Sequence, residues 1–301
     1  MIILQIILFI LIAPLLSGLI TVIKNYLRMR KGQSILQPYY NLVKFFYKDE
    51  VISETASWIF RVAPFIVFSS ALVASMLVPV FIFNRPILPV GDFIALVFIF
   101  TLGRFFLALA ALDTGSSFGG MGSSREMFIA SFVEPALCMV IFAISLQFGS
   151  TDIVAFSGLH PITVSAVVAA LALFLLVIAE TSRIPIDNQE THLELTMVHE
   201  AMVLEYSGRS LALIELAAYL KQMIFFFLIA QLIFPIGLPL GNFVQVSLWS
   251  LWFIARIAVI AVTVAVVEVN LAKLRLFRVA DFLGFAFVLG IIAAVCSILG
   301  A

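Results

Sequence analysis

Residues 179–211 read AETSRIPIDNQETHLELTMVHEAMVLEYSGRSL, an acidic stretch set between long apolar runs. It holds six of the 17 carboxylates (Glu180, Asp187, Glu190, Glu194, Glu200 and Glu205) and two of the three histidines, with Arg183 and Arg209 as its only bases. Outward from it the chain is greasy: 63% of the 301 residues are hydrophobic and 11% charged, where a soluble domain is about half apolar and about a quarter charged. Apolar runs of about 20 residues match the ~30 Å hydrocarbon core at ~1.5 Å rise per residue, and only helices or closed barrels satisfy their backbone there. The expected fold class is an all-α integral membrane protein of about eight transmembrane helices. They fall at roughly 2–23, 63–83, 92–112, 127–148, 162–180, 211–234, 244–268 and 279–300, in a single transmembrane domain over 1–301. A long first loop, and the large acidic loop between the fifth and sixth helices, complete it. The first span lacks a basic start and a small-residue cleavage site, so it reads as a membrane helix and not as a signal peptide.

Orientation follows from the bases. One set of loops holds Lys24, Arg28, Arg30, Lys31, Lys44, Lys48, Arg61, Arg125, Arg183, Arg209, Lys273, Arg275 and Arg278, and the opposite set holds Arg85 alone. The acidic loop is therefore expected in the cytoplasm and both termini outside. Within the first cytoplasmic loop, 24–62, Pro38 can open a helix. Tyr39, Leu42, Val43, Phe46 and Tyr47 would give that helix an apolar side suited to the membrane interface. The stretch 113–126, DTGSSFGGMGSSRE, has no Walker pattern and reads as a compact turn packed closely on a neighbour.

Ionisable residues inside spans are costly unless paired or hydrated. Arg104, Glu134, Glu180, Glu215, Lys221, Arg256 and Glu268 are such residues, and spread over the later spans they read as a hydrated proton path. The alternative is that they pair simply to hold the bundle, with Glu180 and Glu268 near enough to helix ends for interfacial placement. In the acidic loop, His199-Glu200 is followed by Ala201, Met202 and Val203, so the zinc-binding HExxH pattern fails at its last position. Ile184, Ile186, Leu193, Leu195, Met197, Val198 and Leu204 interleave with the acids, as in a loop buried against another protein. Cys138 and Cys296 are the only cysteines and form no CxxC, so the chain supplies no cysteine set for an iron–sulfur or nickel centre.

Four blocks resemble the membrane subunit that joins the peripheral and membrane arms in complex I (its H subunit) and in group 4 NiFe-hydrogenases. They are Leu36-Gln37-Pro38 with Asn41 and Lys44; Gly122 and Arg125 ahead of Glu134; Glu180-Thr181-Ser182-Arg183-x-Pro185-x-Asp187 with Glu190, Glu194 and Glu205-Tyr206; and the helix Leu211–Gln222. The wording of LDTGSSFGGMGSSRE, THLELTMVHEAMVLEYSGR and YLKQ is similar to membrane-bound energy-converting hydrogenases such as formate hydrogenlyase. Three features depart from complex I. Lys31-Gly32-Gln33 lacks its proline, its acidic-loop insertion is missing, and its sixth-helix acid falls at Ala218, with Glu215 one turn earlier.

The resemblance implies a non-redox subunit of an ion-translocating oxidoreductase complex in the prokaryotic cytoplasmic (inner) membrane. It has no catalytic residue, cofactor or metal of its own. The NiFe centre and iron–sulfur clusters are expected on hydrogenase-like large and small subunits and an iron–sulfur subunit, and pumping on antiporter-like membrane subunits. Implied roles are Glu134, Glu180, Glu215, Lys221 and Arg256 for the proton path and Asp187, Glu190, Glu194, Glu200 and Glu205 for the coupling loop. Arg125 and Arg183 are implied as counter-charges, and Leu36, Gln37, Pro38 and Lys44 as the docking place of the arm. A quinone-site-forming H subunit, a stand-alone ion-coupled transporter and a purely structural anchor are the alternatives.

Overall fold

Short polar residues start the helices. Ser57, Asp92, Ser116 and Thr163 each accept a hydrogen bond from a first-turn N–H, at Ile59, Ile94, Gly119 and Ala166, which satisfies a donor that the helix itself cannot. The computed structural model describes residues 2–78, 91–156, 160–188, 197–235 and 243–300. In chain order its helices are α1 (Ile2–Leu27), α2 (Gln37–Tyr47), α3 (Trp58–Leu77), α4 (Phe93–Asp113), α5 (Ser117–Phe148), α6 (Ile153–Phe156), α7 (Val164–Glu180), α8 (His199–Val203), α9 (Gly208–Ile233), α10 (Phe243–Asn270) and α11 (Leu276–Ile298). There is no strand among the described residues, only an isolated bridge between Asp92 and Asp152. Glu190 and Glu194, with His192 and Arg85, lie outside the described residues.

Among the described residues, seven helices are long and apolar enough to span a membrane. The eighth, α7, has 17 residues, or about 26 Å at ~1.5 Å per residue, short of the hydrocarbon core. It need not match that thickness, because Leu176, Val177, Ile178 and Ala179 are all buried inside the bundle. At the centre stands α9, where every residue from Met223 to Leu232 is buried.

The α5–α7–α11 seam is built from small residues. Ala166, Ala169, Ala170, Ala293 and Ala294 are buried, Ser165 Oγ donates to the Ala293 carbonyl at 2.9 Å, and a Cβ on Gly290 would stand 3.3 Å from Met139 Cβ. In lipid, helix association rests on such close packing, since tails are as apolar as leucine.

Two expectations change. The Gly/Ser stretch is helical from Ser117, so α5 begins ten residues before the expected span. The reason is tertiary: a Cβ on Gly122 would lie 2.9 Å from Ala201 Cβ and 3.0 Å from the Val198 carbonyl, so the absent side chain lets α5 seat against α8. The close approach was legible, but its helical form was not. In α2 the expected single apolar side is split: Leu42 is buried against Ala212 and Leu216 of α9, while Val43, Phe46 and Tyr47 are exposed. The helix therefore rests one side on the protein and offers the other to the surroundings.

The ends Leu27, Trp58, Asp113, Ser117, Glu180, Gly208, Asn270 and Leu276 gather at one end of the bundle. Ser57 N–H donates to Asp113 Oδ2 at 2.7 Å, Val51 N–H donates to Ser207 Oγ at 2.9 Å, and Lys24 pairs with Glu268 at 2.7 Å. This is the charged end.

Candidate functional site

A cavity of about 510 Å³ opens into the charged end, walled by α1, α3, α4 and α9, with α2, α8 and the start of loop 181–188 around it. Its inner end is set by Arg104, nine residues in from the last residue of α4. The guanidinium reaches three carboxylates: Glu134 Oε1 at 3.2 Å, Glu126 Oε1 at 3.4 Å, and Glu180. Glu126 and Glu134 are eight apart on α5, hence on one face two turns from each other. Glu180 is the last residue of α7, its side chain only 2% exposed, and its second oxygen pairs with Lys221 of α9. Four helices thus meet through five charged side chains. Three acids face two bases, so one added proton makes the group neutral.

A second group lies beside it. Glu268 of α10 takes Arg183 Nη1 at 2.6 Å on one oxygen and Lys24 Nζ at 2.7 Å on the other. Arg183 Nη2 also donates to Gln222 Oε1 at 3.0 Å. A third group centres on Asp187, which is 1% exposed. It accepts from the backbone N–H of Asn188, Val198 and His199 at 2.9–3.1 Å and from Lys273 Nζ at 3.0 Å. The Leu274 N–H donates to the Pro185 carbonyl at 2.7 Å. Loop 181–188 is therefore tied at three points to α10 and the short connection that follows it.

The remaining candidates sort by place. Glu200 and Glu215 line the cavity, and Glu215 is hydrogen bonded to Tyr219 one turn on. Glu205 is exposed outside it. Arg125 Nη1 donates to the Met197 carbonyl at 3.0 Å, so in this structure it holds backbone where a carboxylate was expected. Pro38 is buried and lines the cavity, and Gln37 donates to Asn41 Oδ1 at 3.0 Å. Leu36 and Lys44 are exposed. Arg256 stands apart from all three groups, donating to Gln231 Oε1 at 3.0 Å and to the Phe234 carbonyl at 2.6 Å near the far end of α9.

Sequence reasoning gave no role to Glu126, Lys24 and Gln222, and it counted Arg104 and Glu268 among the ionisable residues within spans without giving either a specific role. Glu126 was hidden because the first turns of α5 read as a loop, which concealed its face-sharing with Glu134. Lys24 counted only as a loop charge.

Tyr206, between α8 and α9, holds this end together. Its ring stacks on Phe60 at 4.0 Å between centroids, and its hydroxyl donates to the Phe60 carbonyl at 3.0 Å. Burial, with Asp113 and Glu50 nearby, pushes its ionisation well above the ordinary tyrosine range.

Comparison with known proteins matches residues 1–299 to the family model described as NADH dehydrogenase. Hydrogenase-4 component C of Escherichia coli K12 is 35% identical over 81% of this chain and 76% of its own length. Formate hydrogenlyase subunit 4 of the same organism is 30% identical over 77% and 75%. In fold, the chain is similar to one in the structure of the membrane-bound sulfane sulfur reductase, an archaeal respiratory membrane complex, with TM-score 0.77 over 98% and 99% of the two chains at 19% identity. A match over nearly the whole chain, joined to that level of identity with two hydrogenase-type components, means that the chain belongs to the NADH dehydrogenase subunit 1 family of membrane proteins.

Proposed function

We propose that this chain is the arm-linking membrane subunit of an energy-converting hydrogenase-like complex, and that it couples a partner's redox reaction to translocation of protons or sodium ions. The observation that carries the reading is the Arg104 guanidinium shared by Glu126, Glu134 and Glu180 at the inner end of the cavity, with Lys221 on the far oxygen of Glu180. Three carboxylates compete for one planar cation with five N–H donors. A proton arriving on one of them releases its hold and lets Arg104 shift toward the other two. Glu215 and Glu200, on the cavity wall, lie on the way in, and Glu134, its side chain 37% exposed, lies on the way out of this chain.

In this reading the charged end faces the cytoplasm of a prokaryotic cell, both termini face outward, and the peripheral arm docks over the cavity mouth. Its partners carry the NiFe centre and the iron–sulfur clusters, and antiporter-like membrane subunits take the ion onward. Loop 181–188 couples the two, since it begins next to Glu180 and is bonded to α10 through Arg183 and to the connection after α10 through Asp187 and Pro185.

The cavity volume also favours a second reading, a quinone-binding chamber, because a ring of that class would fit. The charged lining argues the other way, since small-molecule pockets are mostly apolar with few polar groups.

The test is Glu180→Gln in the assembled complex, which keeps shape and removes the exchangeable charge. Ion translocation is expected to fall at least about tenfold, a barrier change of ~1.4 kcal/mol, with the partner's redox reaction and assembly retained. Unchanged ion gradients in that variant and in Glu215→Gln would refute the coupling role. A quinone photolabel captured in the cavity would favour the second reading.

A further inference from the structure

Arg104, Glu126, Glu180 and Lys221 all line the cavity, but Glu134, the fifth member of the group, does not. It is nevertheless the most exposed of the five, its side chain 37% exposed against 19% or less for the others. Glu134 therefore opens on the outer surface of the bundle. Its depth is that of Arg104, near the middle of α4. Arg104 engages Oε1, and no hydrogen bond or ion pair among the described residues reaches Oε2. Hydrocarbon is a poor neighbour for such a carboxylate.

The outward face of α5 around Glu134 is built to take something close. Ser124, Ser131 and Cys138 recur every seven residues and are exposed, and Ser145 continues the column half-buried. Small side chains spaced by two turns leave a groove along which a second membrane helix can approach closely. Pro135, exposed on the same face, has no N–H to give the Ser131 carbonyl one turn back. The hydroxyls of Ser124 and Ser131 donate to the Met121 and Phe128 carbonyls of their own helix. Apart from the Cys138 thiol, a weak donor, the face thus presents acceptors at a depth where lipid offers no donor.

Charge selects the occupant. The Arg104 group holds three acids against two bases, and Glu134 is where that excess acid meets the outside. A second copy of this chain would bring another Glu134 and the same acceptors, so the face does not complement itself. We propose that a membrane-spanning helix of a partner subunit lies along α5, closest at Ser131 and Cys138, and sets a basic side chain against Glu134. The interface rests on the reading of this chain as one subunit of a membrane complex, and adds the surface and the chemistry of its neighbour.

The experiment uses the full chain, purified with the subunits that accompany it. Met127→p-benzoylphenylalanine and Phe142→p-benzoylphenylalanine replace large exposed side chains near either end of the column, and the cross-links formed on irradiation are mapped by mass spectrometry. Both are expected to capture one apolar span of another subunit, and that span is expected to contain Lys, Arg or His. Ser131→Trp fills the groove from an exposed position, and should lower the amount of that subunit retained at least about tenfold. Capture of lipid alone, of a second copy, or of a span without a base overturns the proposal, as does full retention in Ser131→Trp. Should Ser131→Trp fail to accumulate, the two cross-links decide. Nickel and iron in the same preparation report the redox arm separately. Their absence counts against the coupling reading and leaves the interface; their presence with lipid alone on α5 sinks the interface and leaves the coupling reading.

Discussion

Arg104 and Arg256 are both buried guanidiniums on membrane-spanning helices, and their surroundings are opposite in kind. Arg104 is ringed by three carboxylates from two helices, whereas Arg256, among the described residues, donates to the oxygens of an amide and a backbone carbonyl and lies over the Phe253 ring. The first setting can take up a proton and rearrange. The second has no acid among its described partners and can only hold the far end of α9 against α10. A buried charge in a membrane protein therefore reports function by what it is paired with, and not by being there.

The contrast can be broken most sharply by removing each cation. Arg104→Met leaves Glu180 facing Lys221 and two further acids with no base among the described residues. Breaking a buried pair from one side costs about 3–5 kcal/mol, so a large drop in thermal unfolding temperature is expected together with loss of ion translocation. Arg256→Met strands two neutral oxygens, at about 1–3 kcal/mol. Its unfolding temperature should fall less, and translocation in liposomes should stay within about twofold. Loss of translocation in Arg256→Met would erase the distinction and return Arg256 to the path.

Two smaller tests probe the platform on which the Arg104 group stands. Gly122→Ala forces a methyl against Ala201 and the Val198 carbonyl; overpacking of this sort costs about 1–3 kcal/mol, and proteolysis of the 197–207 segment should quicken. Tyr206→Phe keeps the stack on Phe60 and loses one hydrogen bond, about 1 kcal/mol. It also changes the alkaline limb. Because burial raises the Tyr206 ionisation in the folded chain, the folded state holds that proton while the unfolded state releases it above about pH 10. Stability therefore falls as pH rises through that range. Tyr206→Phe removes this source of loss, so its stability should decline less steeply between about pH 10 and pH 11. An unchanged slope would mean that Tyr206 ionises freely.

Much of the fold was legible because lipid imposes a simple length rule on apolar runs. The helix α9 declared itself by a long, mostly apolar segment, and each expected span contains an observed helix to within a few residues at most ends. Helix α5 escaped because glycine and serine resemble loop composition, and their use is explained by neighbours outside the stretch: Ala201 and Val198 against Gly122, and the Ala108 carbonyl that Ser123 bonds. Glu134 and Glu180 were visible singly, but their grouping, and Glu126 with them, was not. Arg104 and Glu180 are 76 residues apart, and no spacing rule within a helix joins them. Asp187 shows the opposite limit. It read as one more acid in a responsive loop, yet it is a buried clamp on three backbone N–H groups and Lys273.

The short helix α7 has one more consequence. Bilayers of different thickness act on helices whose ends meet lipid, by tilting or stretching them. The inner end of α7 meets protein instead, and Glu180 is fastened there by Arg104 and Lys221. A thicker or thinner membrane should therefore tilt the outer helices while the Arg104 group keeps its shape. The charge-handling part of this subunit is suspended inside the bundle, insulated from the mechanics of the sheet in which it sits.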